Sequence, residues 1–145
     1  MLVKLKSAVK LVQTRGVKAN MELFDNVPGA LFSASMWFGK ACVGHAMLTP
    51  MAPGEVWPHH DKGTTIPAEL TNVFVSPDLR GQGIATTLVG KCLAYCTRKN
   101  WECVLRVTPY GTHHMSVEQL VDFYKKTGFY VYARGETVHM FKAPK

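Results

Sequence analysis

The sequence predicts an α/β fold built on one sheet of mixed strand direction, and three observations carry that expectation. Leu31 to Phe38 and Ala41 to Leu48 are apolar runs rich in β-formers joined by Gly39-Lys40, the pattern of a hairpin. The strand-like run Leu70 to Val75 meets a glycine turn, an amphipathic helix and a further strand-like run, Trp101 to Val107. A second helix then leads into a closing hairpin, and this order of elements implies strands of both directions in a layered α/β domain.

In chain order, the first segment reads as a helix, since Leu2, Leu5, Val9 and Val12 follow helical spacing. Met21 to Phe24 reads as a short strand, and Val27-Pro28-Gly29 as a turn before the hairpin. Thr49 to Pro67 holds Pro50, Pro53, Pro58 and Pro67 with Gly54 and Gly63, so it is expected to be a long loop. A helix is expected from about Gly83 to Arg98, with Ile84, Leu88, Cys92 and Cys96 on one stripe. Ser116 to Lys126 is the second helix, opened by the capping box Ser116-x-x-Gln119 and closed at Gly128. Phe129 to Ala133 and Thr137 to Lys142 make the final hairpin around Arg134-Gly135-Glu136.

With 145 residues, 47% of them hydrophobic and 19% charged, residues 1-145 are expected to form a single domain without help from disulfides. No apolar run approaches the roughly 20 residues of a membrane helix, so no membrane partner is expected. Cys42, Cys92, Cys96 and Cys103 form no C-x-x-C pair, and no signal peptide is evident, which favours buried thiols in a reducing, cytoplasmic setting. Cys92 and Cys96 share an apolar helical stripe, where core packing is favoured over metal binding. The net charge is +7, and Lys4, Lys6, Lys10, Arg15 and Lys18 precede the first acid. A solvated helix face, a nucleic-acid-binding arm and a targeting peptide all fit that segment, with the solvated face favoured.

The run Arg80-Gly81-Gln82-Gly83-Ile84-Ala85 carries the most chemistry. Glycines let a backbone approach a bulky anion, and the N–H groups opening the next helix point at it with the positive end of the macrodipole. Arg80 would add charge-assisted hydrogen bonds to a pyrophosphate. The run is neither a nucleoside-triphosphate loop nor G-x-G-x-x-G, because Lys-Ser/Thr is missing and the glycine spacing differs.

The pattern R-x-x-G-x-A after Val75-Ser76-Pro77 resembles the acetyl-CoA loop of the GCN5-related N-acetyltransferase (GNAT) superfamily. Phe123-Tyr124-Lys125-Lys126-Thr127-Gly128-Phe129 is similar to that family's later F-Y-x-x-x-G-F signature, and the resemblance spans about Ala30 to Lys142. It implies a mostly antiparallel central sheet, flanked by helices, whose fourth and fifth strands splay apart to admit the pantetheine arm. Those strands would be Leu70 to Val75 and Trp101 to Val107. It also implies a shortened N-terminal region, because family members usually place a strand and two helices there, and so an acceptor side that is open or completed by a second subunit. A homodimer is a reasonable expectation. Where the family often has Asn and Ala ahead of its tyrosine, Val117 and Leu120 stand here, so a CoA-contacting amide is missing.

The resemblance implies an acetyl-CoA-dependent transfer of acetyl to an amine by direct attack, with no metal. It assigns Arg80, Gly81, Gln82, Gly83, Ile84 and Ala85 to the cofactor, and a backbone N–H at Phe74 or Val75 to the oxyanion. Tyr124 takes the place of the general acid toward the CoA sulfur, since a phenol near pKa ~10 and a thiol near ~8.5 can share a proton. Packing in the stripe of Val117, Leu120 and Val121 is its other reading. Glu69 stands where histone-type members place a general base, against the alternative of a solvated strand-edge glutamate. His45 reads as a second base or a substrate contact or, preferably, a hydrogen-bonded core histidine. His59-His60-Asp61 and His113-His114 lack zinc-motif spacing and read as solvated loops.

The acceptor is open among a peptide N-terminus, a protein lysine, an amino-acid-like amine and an anionic carrier. Basic charge admits acetylation of an aminoacyl-tRNA, as toxins of the superfamily perform, and a non-catalytic CoA-binding module is the alternative from another class.

Overall fold

The computed structural model describes residues 19–25, 28–50, 68–81, 83–108 and 115–143. The expected N-terminal helix, most of the proline-rich loop, Gln82, and both adjacent-histidine pairs lie outside them. Seven strands form one sheet: β1 (Ala19–Asp25), β2 (Phe32–Phe38), β3 (Ala41–Pro50), β4 (Ala68–Val75), β5 (Cys103–Val107), β6 (Tyr130–Ala133) and β7 (Val138–Lys142), in the order β1-β2-β3-β4-β5-β7-β6. Among the described residues, the α-helices are α1 (Ile84–Lys99) and α2 (Val117–Lys126). Every strand pair is antiparallel except β4 and β5, which are parallel. The mixed sheet, its splayed centre and its helical flanks match the fold expected from the sequence.

Hydrophobic alternation sets which face is buried. Phe32, Ala34 and Met36 of β2 and Gly44, Ala46 and Leu48 of β3 are all buried, and α1 packs across β2, β3 and β4 on that face. Its stripe of Ile84, Leu88, Cys92 and Cys96 is buried in the same cluster, as the periodicity requires. Helix α2 packs on β5 and β6, placing Val121 and Tyr124 in a core that includes Leu105, Val138 and Met140.

Element ends follow local chemistry. Asn100 caps α1 in the left-handed region (φ 59°), and the Trp101 N–H bonds the Cys96 carbonyl at 2.9 Å, so β5 starts at Cys103 rather than Trp101. β1 is longer than expected, running from Ala19 to Asp25 in continuous register with β2. Cys92, Cys96 and Cys103 are buried, but Cys42 is exposed, since it sits beside the Gly39-Lys40 turn where the hairpin meets solvent.

One glycine governs how closely α1 approaches the sheet. A Cβ on Gly44 would stand 3.1 Å from both Ile84 Cγ2 and Leu88 Cδ1, and 3.2 Å from the Phe74 carbonyl oxygen. Gly44→Ala is expected to destabilise the fold by about 1–3 kcal/mol through overpacking, measured as a lower midpoint in urea with an unchanged slope.

Candidate active site

Among the described residues, β4 and β5 pair at two positions, Ala68↔Cys103 and Glu69↔Val104. Beyond them β4 continues to Val75 bonded to β3, and β5 continues to Val107 bonded to β7. The gap opens into a cleft of about 660 Å³, walled by the two strands, the start of α1 and the inner face of α2. That volume lies within the range of small-molecule and cofactor sites.

A bulge shapes the β4 wall. Register with β3 shifts between His45↔Phe74 and Met47↔Thr71, and Asn72 takes up the extra residue at φ 53°. Past the bulge, the Ser76 N–H donates to the Val43 carbonyl at 2.8 Å. Strand alternation therefore turns the Phe74 carbonyl toward β3, where it lies against Gly44, and turns the Val75 N–H toward the splayed edge. Of the two backbone donors expected from the sequence, Val75 has the orientation for the cleft. The N–H of Phe74 faces β3, and this residue contributes to the cleft by lining it.

At the mouth, Gly81 (φ 82°) and Gly83 (φ 81°) both occupy the left-handed region, with open space where a Cβ would stand. Gly83 is the N-cap of α1, with no capping side chain, and the first turn carries no acid. The opening amides of α1 are thus oriented for an anion, as helix geometry dictates. Arg80 lines the cleft beside them, and its Nε donates to the Val75 carbonyl at 3.0 Å, which ties the loop to the end of β4. Ala85 also lines the cleft, while the Ile84 side chain is buried against β3 and leaves its backbone to this wall.

Tyr124 stands on the opposite wall, and the surrounding signature residues explain its placement. The Ser116 hydroxyl accepts from the Gln119 N–H at 3.2 Å and Gln119 Oε1 accepts from the Ser116 N–H at 2.9 Å, which fixes the start of α2. At its end, the Phe129 N–H bonds the Tyr124 carbonyl and the Gly128 N–H bonds the Lys125 carbonyl, both at 3.1 Å. This is a Schellman closure with Gly128 at φ 111°. Edge-on contacts to Phe123 and Phe129, with centroids 5.1 and 5.8 Å away, lock the Tyr124 ring against the cleft.

Glu69 lies where the two strands part. Its Oε2 is 3.2 Å from Arg106 Nε on β5, and the two side chains are 14% and 39% exposed, respectively. Burial raises the Glu69 carboxyl above the ordinary carboxylate range even with that guanidinium beside it. The solvated-edge reading of Glu69 therefore gives way to a shielded group on the cleft wall. Arg106 also lines the cleft, and no sequence motif had marked it: only the strand register brings it to Glu69. Thr71, two residues along the same strand, lines the cleft, and its hydroxyl oxygen is buried with no hydrogen-bond partner.

His45 lies outside the lining of the cleft. Its ring packs on Phe74 at 5.6 Å, and its Nδ1 is buried without a hydrogen-bond partner, so it differs from a satisfied core histidine. Burial pushes the Cys92 thiol up, and a hydrogen bond with Cys96 together with burial pushes the Cys103 thiol up, which suits packing rather than nucleophilic attack. Among the described residues, no group of three or more His, Cys, Asp or Glu side chains is placed to hold a metal ion. No helix among them is long and apolar enough to cross a membrane.

Comparison with known proteins agrees with the fold. An N-acetyltransferase, PaiA, from Thermoplasma acidophilum, solved in complex with coenzyme A, is similar in structure with a TM-score of 0.55 and 22% identity, over 77% of this chain and 59% of that one. Arabidopsis thaliana Naa50, solved with the bisubstrate analogue CoA-Ac-MVNAL, gives a TM-score of 0.56 at 20% identity, over 77% of this chain and 72% of that one. An IAA acetyltransferase from Bacillus cereus gives a TM-score of 0.58 at 14% identity, over 87% of this chain and 99% of that one. The chain thus spans 59% of the length of the Thermoplasma protein. No curated protein sequence matches it. The sequence model of the Acetyltransferase (GNAT) family matches residues 9–129, and the chain belongs to that family.

Proposed function

We propose that the chain is an acetyl-CoA-dependent N-acetyltransferase that transfers acetyl to an amine within a ternary complex. The observation that carries this reading is the cleft at the parted strands, with a helix N-terminus and Arg80 at one end, Tyr124 on a wall and Glu69 at the parting point. In this reading the opening amides of α1 and Arg80 hold the pyrophosphate of CoA, and the pantetheine arm lies between β4 and β5. Gln82 belongs to the same loop by sequence.

The chemistry needs three services from the protein. Glu69 accepts a proton from the incoming ammonium, whose ordinary pKa near ~10 otherwise keeps it unreactive at neutral pH. The amine nitrogen then attacks the thioester carbonyl, and the Val75 N–H stabilises the negative oxygen as the new N–C bond forms. The C–S bond breaks, and Tyr124 supplies the proton that leaves on the CoA thiol. The acetylated nitrogen gives up its second proton, which passes through solvent to restore Tyr124, and the proton on Glu69 is released to solvent, so the enzyme returns unchanged.

Tyr124→Phe is expected to lower kcat by ~100-fold or more while acetyl-CoA affinity stays within about twofold. Thiol release assays beside calorimetric titration check this, and an unchanged kcat would reduce the ring to packing. The raised pKa of Glu69 gives a second expectation. Glu69 is protonated and inert at the bottom of the ordinary carboxylate range, and it becomes competent as pH climbs through its raised value. The kcat/KM profile should therefore rise with pH through an inflection above the ordinary ~4.3 of glutamate, and Glu69→Gln should remove that inflection along with most of the rate.

A further inference from the structure

Deepening the proposed function, on which it rests, we infer that the acceptor is an α-amino acid with a free carboxylate, recognised by the Glu69–Arg106 pair and the Thr71 hydroxyl at the parting of β4 and β5. The pair presents one anion and one cation 3.2 Å apart in a single wall of the cleft. An α-amino acid carries the complementary arrangement, an ammonium and a carboxylate on one carbon. Its ammonium meets the Glu69 carboxylate, and its carboxylate meets the Arg106 guanidinium, whose planar fork matches a carboxylate.

Exposure supports the same assignment of roles. The more exposed partner is the cation, at 39%, and the more shielded one is the carboxyl, at 14%. A carboxylate arriving from solvent therefore meets Arg106 while the amine reaches the inner group that takes its proton. A polyamine brings a second cation toward Arg106 and is repelled. A simple alkylamine leaves the guanidinium without a ligand from the substrate.

Thr71 supplies an independent observation. It lies two residues from Glu69 on β4 and lines the cleft, and its hydroxyl oxygen is buried with no hydrogen-bond partner. A buried hydroxyl left unpaired is costly, and an acceptor carboxylate oxygen is a partner for its O–H. The exposed ring of Phe74, on the same sheet face as Glu69 through the β3–β4 register, offers apolar surface to the acceptor side chain.

The test measures thiol release from acetyl-CoA with the common α-amino acids, each beside its α-amide and its decarboxylated amine, for the wild type, Arg106→Gln and Thr71→Val. Thermal unfolding of each variant establishes that it is folded. The expected result is at least one amino acid used roughly tenfold or more better, in kcat/KM, than its amide and its amine. Arg106→Gln should collapse that ratio toward one, and Thr71→Val should raise KM for the amino acid more than for the amine. Equal or better use of the amides or amines, or a ratio unaffected by Arg106→Gln, overturns the inference while leaving amine acetylation standing. Absence of thiol release with every amino acid, amide and amine overturns this inference, and failure to bind acetyl-CoA as well overturns the proposed function with it.

Discussion

The structure depends on the refusal of two parallel neighbours to stay paired. β4 and β5 share a ladder at Ala68 and Glu69 and then diverge. A central sheet ordinarily satisfies its backbone groups strand to strand, and unpaired buried ones are costly. Here the edge of β4 past Glu69 is turned to a cleft. The bulge at Asn72 bends the strand away, and the close approach at Gly44 lets α1 follow it, so the helix N-terminus arrives at the mouth. A cleft with the opening amides of α1 at one end and a shielded carboxyl at the other follows from that single departure from regular pairing.

The two sequence motifs have physical explanations that differ. The R-x-x-G-x-A run needs its glycines because both Gly81 and Gly83 have positive φ, and because an anion approaching the opening amides of α1 would meet no Cβ there. The F-Y-x-x-x-G-F run is a helix terminator whose glycine and final phenylalanine anchor the tyrosine. Gly128 makes the left-handed turn, Phe129 packs on Tyr124, and the aromatic side chain is held at the cleft wall. One motif shapes a void for a ligand and the other fixes a side chain beside it.

Most elements were legible because their periodicity is strong: the hairpins, the α1 stripe and the capping box of α2 lie close to where alternation, helical spacing and Ser116-x-x-Gln119 put them. The splay was legible only through resemblance, since nothing in the composition of β4 or β5 forbids a full ladder. The Glu69–Arg106 pair was not legible, because its partners meet across a register that no local pattern encodes. For the same reason the sequence left Phe74 and Val75 as equal candidates for the backbone donor. A bulge decides which N–H faces the gap, and an Asn at positive φ leaves only a weak trace in sequence. Cys42 shows the limit of propensity, since an apolar strand residue beside a turn can still face solvent.

If the parted strands and the mouth of α1 form an acyl-CoA site, the protein binds acetyl-CoA there. Calorimetric titration of the purified protein with acetyl-CoA at moderate salt, repeated with Arg80→Ala, tests it most directly. One-to-one binding with micromolar affinity is expected in the wild type, weakened about tenfold or more by Arg80→Ala, as loss of a charge-assisted hydrogen bond to phosphate requires. Absence of binding to folded protein, or equal affinity in the variant, would contradict it.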